Sequence, residues 1–235
     1  MRRAPKQLSL DDHRMRSGRG GPRPGAGRPP ASARPPVHHV RRPPVPRDCP
    51  SHVTLRLRSG IPSLRSRRFL RELRPSLRES CERAGFRVVH YSVQRNHLHL
   101  LVESAGKENL GRGMKAIAAR VARAAQRAFG LAGPMLHGRY HLRILRTPQE
   151  VRRALAYVLL NARKHWRERH GAPPPERLDA ASSARWFDGW RRAPPVREAV
   201  AEAPESPEVA PARTWLLATG WRRHGLVDPA ELPGS

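Results

Sequence analysis

The sequence predicts an α+β fold in which helices pack on an antiparallel sheet, and three observations carry that reading. Strand-like and helix-like runs alternate between residues 51 and 170. Two β-rich runs, FRVVHYSV (86–93) and HLHLLVE (97–103), are separated only by Gln94, Arg95 and Asn96, a spacing that suits a hairpin. Thr147, Pro148 and Glu150 form a helix-start signature ahead of a long helical pattern.

Taken in order, HVTLRLR after Ser51 alternates with the period of a half-buried strand. Ser66 to Ala84 then carries Phe69, Leu70, Leu73, Leu77 and Cys81 at helical spacing, with Pro75 expected to interrupt or kink that helix. The two β-rich runs follow and should pair antiparallel. Residues 108–129 form a basic, Ala-rich amphipathic helix, and RYHLRIL (139–145) reads as a further strand. Thr147 is the expected N-cap, Pro148 takes the first helical position, and Glu150 closes a capping box on a helix ending near His170. The order strand, helix, strand, strand, helix, strand, helix matches a ferredoxin-like split βαβ plan with extra helices.

This folded part spans residues 47–171. Residues 1–46 hold ten prolines and five glycines in a basic background, which cannot bury enough apolar surface to offset chain entropy, so a disordered basic arm is expected there. Residues 172–235 form an accessory tail with two apolar islands, ARWFDGW (184–190) and RTWLLATGWRRHGLV (213–227), expected to dock on the domain.

The formal charge of +27 and pI near 11.8 point to a polyanionic partner, nucleic acid first. Residues 47–171 hold 27 basic against 8 acidic side chains, so the arm alone does not account for the charge. Cys49 and Cys81 are the only cysteines and show no CxxC spacing, which argues against a thiolate zinc site or a disulfide framework. The best apolar run, Ala154 to Leu160, is too short to span a bilayer, and no apolar leader segment opens the chain. A cytoplasmic, nucleoid-associated protein without membrane contact is the expectation.

His97 and His99 stand two apart on a predicted strand, so both imidazoles leave one face roughly 7 Å apart at Cβ and can converge on one divalent ion. Leu98, Leu100 and Val102 point the other way, into the core. Alone, the pair reads equally well as ordinary hydrogen-bonded histidines. On the helix after Pro148, Tyr157 and Asn161 are neighbours at i and i+4, which sets an amide oxygen beside a phenol.

The segments NHLHLLVE (96–103), GRYHLR (138–143) and YVLLNARKH (157–165) resemble the REP-associated tyrosine transposases of the HUH superfamily of single-strand endonucleases. The resemblance spans about Ser51 to His170. It implies that His97, Leu98 and His99 are the histidine–hydrophobic–histidine motif, that Tyr157 is the nucleophile and that Asn161 joins the two histidines as a metal ligand. It further implies Mg2+ or Mn2+ as cofactor, a 5′-phosphotyrosine intermediate, single-stranded, hairpin-forming DNA as partner, and a monomer or homodimer. Ala162 departs from the family, where many members carry proline after this asparagine. That leaves the helix free to continue and the placement of Arg163, Lys164 and His165 open between phosphate contact and a solvated helix end.

Other residues read more plainly. Tyr91, expected to face the same way as Val89 and Val93, and Tyr140 are rival nucleophiles better explained by packing or support. Gly27-Arg28-Pro29 matches a minor-groove hook over three residues only. Lys115, Arg120, Arg123 and Arg127 line a helix face suited to DNA or to water. Trp186, Trp190, Trp215 and Trp221 suit packing of the tail better than base stacking. A non-catalytic nucleic-acid-binding regulator on the same fold, and a metal-dependent RNA hydrolase, are the competing functions.

Overall fold

The computed structural model describes residues 43–175, 177–194 and 206–233. The expected arm therefore lies outside the described residues up to Arg42. Of its last four residues, Val45 is buried in the core.

The elements are β1 (Ser51–Arg56), α1 (Arg67–Arg78), β2 (Glu82–Arg83), β3 (Phe86–Val93), β4 (His97–Ser104), α2 (Lys107–Phe129), β5 (His141–Ile144), α3 (Pro148–His170) and α4 (Trp215–Ala218). Short 3-10 turns cover Ala184–Trp186 and Gly220–His224. The sheet runs β2-β3-β4-β1-β5, every pairing antiparallel, which is the split βαβ order with β2 added at one edge.

Local chemistry explains most boundaries. The β3–β4 hairpin closes where the Gln94 N–H donates to the His97 carbonyl at 2.8 Å. The capping box forms as expected: Thr147 Oγ1 accepts from the Glu150 N–H, and the Glu150 carboxylate accepts from the Thr147 N–H. Ala162 does let α3 continue, to His170, where Gly171 ends it in the left-handed region.

Two expectations change. The first helix stops at Arg78 rather than reaching Ala84, because Glu82 and Arg83 pair with Arg87 and Phe86 as β2. Pro75 lies inside α1 without ending it. It sits on the exposed side, where the carbonyl one turn back that loses its donor is open to solvation. The last strand is also shorter than expected, His141–Ile144.

The sheet separates two cores. One face presents Val53, Leu55, Tyr91, Val93, Leu98, Leu100 and Val102 to α1 and α2. Close approach there uses Gly113 of α2, where an added Cβ would stand 2.2 Å from the Phe86 ring. The other face meets α3 and the tail: Val89, Leu101, Val151, Leu155, Val158 and Leu159 pack with Phe187, Leu216, Leu217 and Trp221. A bulge between Val88 and His90 turns Val89 to this second side, away from Tyr91 and Val93.

Polar anchors hold the tail on that side. The buried Glu103 carboxylate accepts from the Arg213 and Thr214 N–H groups and from Thr214 Oγ1, at 2.7–3.1 Å. Arg152 of α3 pairs with Glu231 at 2.6 and 2.7 Å; toward the other face, buried Glu208 accepts from Arg185 and Trp186 of the tail itself and lies 3.7 Å from Arg74 of α1. Trp221 is buried and Trp186 and Trp190 half-buried, so packing claims three of the four tail tryptophans, while Trp215 stays 50% exposed. Among the described residues no helix is long and apolar enough to cross a membrane.

Candidate active site

β4 and β1 build the floor of the site. Alternation sends Leu98 and Leu100 into the α1–α2 core and leaves His97 and His99 on the α3 side. Register sets Thr54 of β1 opposite His99, with His52 one pleat along on the same face. The result is a row of side chains in contact. His97 Nε2 lies 3.0 Å from His99 Nε2, and His99 Nδ1 lies 3.1 Å from His52 Nε2 and 3.2 Å from Thr54 Oγ1. His97 Nδ1 is 2.9 Å from Asn96 Oδ1.

α3 supplies the roof. The Tyr157 ring stands edge-on to His99 at a centroid distance of 5.1 Å and to His52 at 5.7 Å. One turn on, Asn161 is 1% exposed, and neither its amide oxygen nor its amide nitrogen has a hydrogen-bond partner. A buried amide without partners is costly, so a group that satisfies its oxygen would stabilise the site.

Burial dominates the electrostatics. It pulls His99 down to about 3, helped by His52, His97 and His165, and His52 down to about 4, helped by His141 and Arg143. His97 is lowered as well, by burial and then by His165 and Arg56. The imidazoles are therefore neutral at pH 7, with lone pairs available. Burial, and then Glu168, raises Tyr157, so its phenol is protonated.

The donor set fits a divalent ion on two observations. Two ligands roughly 2.1 Å from an octahedral ion and at right angles stand about 3.0 Å apart, the separation of the two Nε2 atoms. His52 does not converge with them, because His99 meets it through the opposite ring nitrogen. Among the described residues no group of three His, Cys, Asp or Glu is arranged around one point. The unpaired Asn161 amide, one turn after Tyr157 on α3, is a polar group of another type.

Other sequence candidates fall elsewhere. Tyr91 is fully buried in the α1–α2 core, and burial pushes its phenol up to about 12. Tyr140 is part-buried against that same core. Arg163 is buried and donates to the Pro175 and Ala230 carbonyls, a structural role rather than a phosphate contact. His165 pairs with Glu168 at 2.9 Å. Lys115, Arg120, Arg123 and Arg127 ride on α2, across the sheet from the histidines, and Arg127 pairs with Glu72 at 2.6 Å. Reading the sequence alone missed His52 and Thr54. Their alternation with Val53 and Leu55 was visible, but the strand they would face was not.

Residues 47–140 match the family model of IS200-like transposases. Among solved structures the chain is similar to a REP-associated tyrosine transposase bound to a REP hairpin, with 18% identity over 53% of this chain and 72% of that one, at a TM-score of 0.42. It is also similar to a protein of Deinococcus radiodurans R1 described as a transposase, with 19% identity over 40% and 76% and a TM-score of 0.34. No curated protein matches the chain.

Proposed function

We propose that the chain is a transposase of the IS200-like kind, whose family model residues 47–140 match, and that it cuts and rejoins single-stranded DNA with Tyr157 as nucleophile. The matched segment contains His97 and His99 and ends before Tyr157. The observation that carries the assignment of the nucleophile is therefore geometric: the Tyr157 ring rests edge-on against His99, itself 3.0 Å from His97.

In the proposed reaction the Tyr157 oxygen attacks the scissile phosphorus. The bond from phosphorus to the 3′-oxygen breaks, leaving a 5′-phosphotyrosine and a free 3′-hydroxyl. The proton lost by the phenol balances the one gained by the departing oxygen. Burial raises the phenol, so it enters the reaction protonated and its attack needs a proton acceptor. Attack of a 3′-hydroxyl on the phosphotyrosine reverses the sequence and rejoins a strand without ATP. His97, His99 and Asn161 would hold magnesium or manganese, which supplies Lewis-acid polarisation of the phosphoryl oxygens. The positive charge of residues 47–171 draws the polyanionic strand to this domain.

The test is incubation of the protein with hairpin-bearing single-stranded oligonucleotides and manganese, followed by denaturing electrophoresis. A protein–DNA adduct that survives denaturant, and is lost in Tyr157→Phe while strand binding persists, is the expected result. Binding without any adduct would identify a non-catalytic regulator on the same fold, and cleavage without adduct a hydrolase.

A further inference from the structure

We infer that His52 is a positioning residue for the proposed metal site: its Nε2 accepts the Nδ1–H of His99 and thereby fixes the tautomer and ring orientation with which His99 binds the ion. The inference rests on the functional reading above and assigns a role to a residue outside its ligand set.

A proton count assigns this role. An ion held by both Nε2 atoms needs a lone pair on each, so both ligand rings carry their proton on Nδ1. Each Nδ1–H then needs an acceptor in this half-buried site. For His97 the acceptor is Asn96 Oδ1, at 2.9 Å. For His99 it is His52 Nε2 at 3.1 Å, with Thr54 Oγ1 at 3.2 Å beside it. Thr54 sits directly across the β1–β4 ladder from His99, and its hydroxyl can donate as readily as accept. His52 Nε2 accepts this proton when its own ring is protonated on Nδ1, the tautomer we assign to it, and Thr54 Oγ1 stands beside it as a second contact. The His52 ring also meets Tyr157 edge-on at 5.7 Å, so one side chain braces both a ligand and the nucleophile's ring.

Manganese titration of the metal-free protein by calorimetry tests the assignment without reference to catalysis. His52→Phe keeps a ring against Tyr157 but offers no acceptor, and should weaken manganese binding about 10-fold to 100-fold, the usual cost of removing such a support. His52→Gln keeps an acceptor oxygen and should recover most of that loss, which a purely structural role does not predict. Should Phe lower the unfolding temperature, His52→Leu against His52→Gln gives the same comparison. Wild-type affinity in a folded His52→Phe protein, or equal losses in Phe and Gln, would overturn the inference and leave the functional reading standing. Absence of manganese binding by the wild type, or unchanged binding in His97→Ala, would instead overturn the metal site and this assignment together.

Discussion

Acid should loosen the side of the sheet on which the tail docks, and His90 makes the effect measurable. Its ring is 8% exposed, stands 3.2 Å from Ser183 Oγ and meets Phe187 edge-on at 5.3 Å. Burial pulls its pKa from 6.5 to about 4. The unfolded chain therefore binds this proton more readily between those values. Stability from keeping His90 neutral is complete above pH 6.5, is lost as pH falls, and is gone below about 4. Integrating that difference from pH 7.5 to 4.5 gives a loss of roughly 2–3 kcal/mol from this residue alone. His52 and His99 add losses of the same sign, so the clean measurement is a difference between proteins. Urea unfolding at the two pH values should show wild type losing about 2–3 kcal/mol more than His90→Asn, whatever the variant's stability at pH 7.5. Equal pH dependence in the two proteins, or a folded-state titration of His90 near 6.5 by NMR, would refute the reasoning.

Asn161→Leu replaces an unpaired buried amide with an apolar group of similar size. It should raise metal-free stability by about 1–2 kcal/mol while weakening manganese binding, read by thermal unfolding and calorimetry. Glu103→Ala leaves two backbone N–H groups and the Thr214 hydroxyl without their buried acceptor, while Arg87 keeps Glu82 at 2.9 Å. It should cost about 3–5 kcal/mol and speed amide hydrogen exchange across residues 213–218 first. Affinity for single-stranded DNA should fall steeply with salt and survive removal of residues 1–42, the cut stopping there because Val45 is part of the core; complete loss at low salt would make the arm the binding element.

The legible parts of the fold were those written in short-range chemistry. NHLHLLVE announces its alternation, and β4 begins at His97. Thr147, Pro148 and Glu150 announce the start of α3. The rest depends on partners distant in sequence. β2 consists of two charged residues, Glu82 and Arg83, with no apolar signal, and exists because Phe86 and Arg87 lie across from them. The bulge at Val88 and His90 breaks the period-2 rule that grouped Val89 with Tyr91. Burial on both faces of β3 and β4 follows from a tail anchored 110 residues away, at Glu103 and Arg213. The same distance effect hid His52: its face was readable from HVTLRLR, whereas its neighbour His99 is 47 residues on.

The most direct test of the central claim is to map the covalent adduct. Wild-type protein trapped on a hairpin oligonucleotide with manganese, denatured and digested with trypsin, should carry its nucleotide on the peptide between Arg153 and Arg163, which contains Tyr157 and no other tyrosine. An adduct that maps to Tyr140 or Tyr91, or one that persists in Tyr157→Phe, would contradict the account.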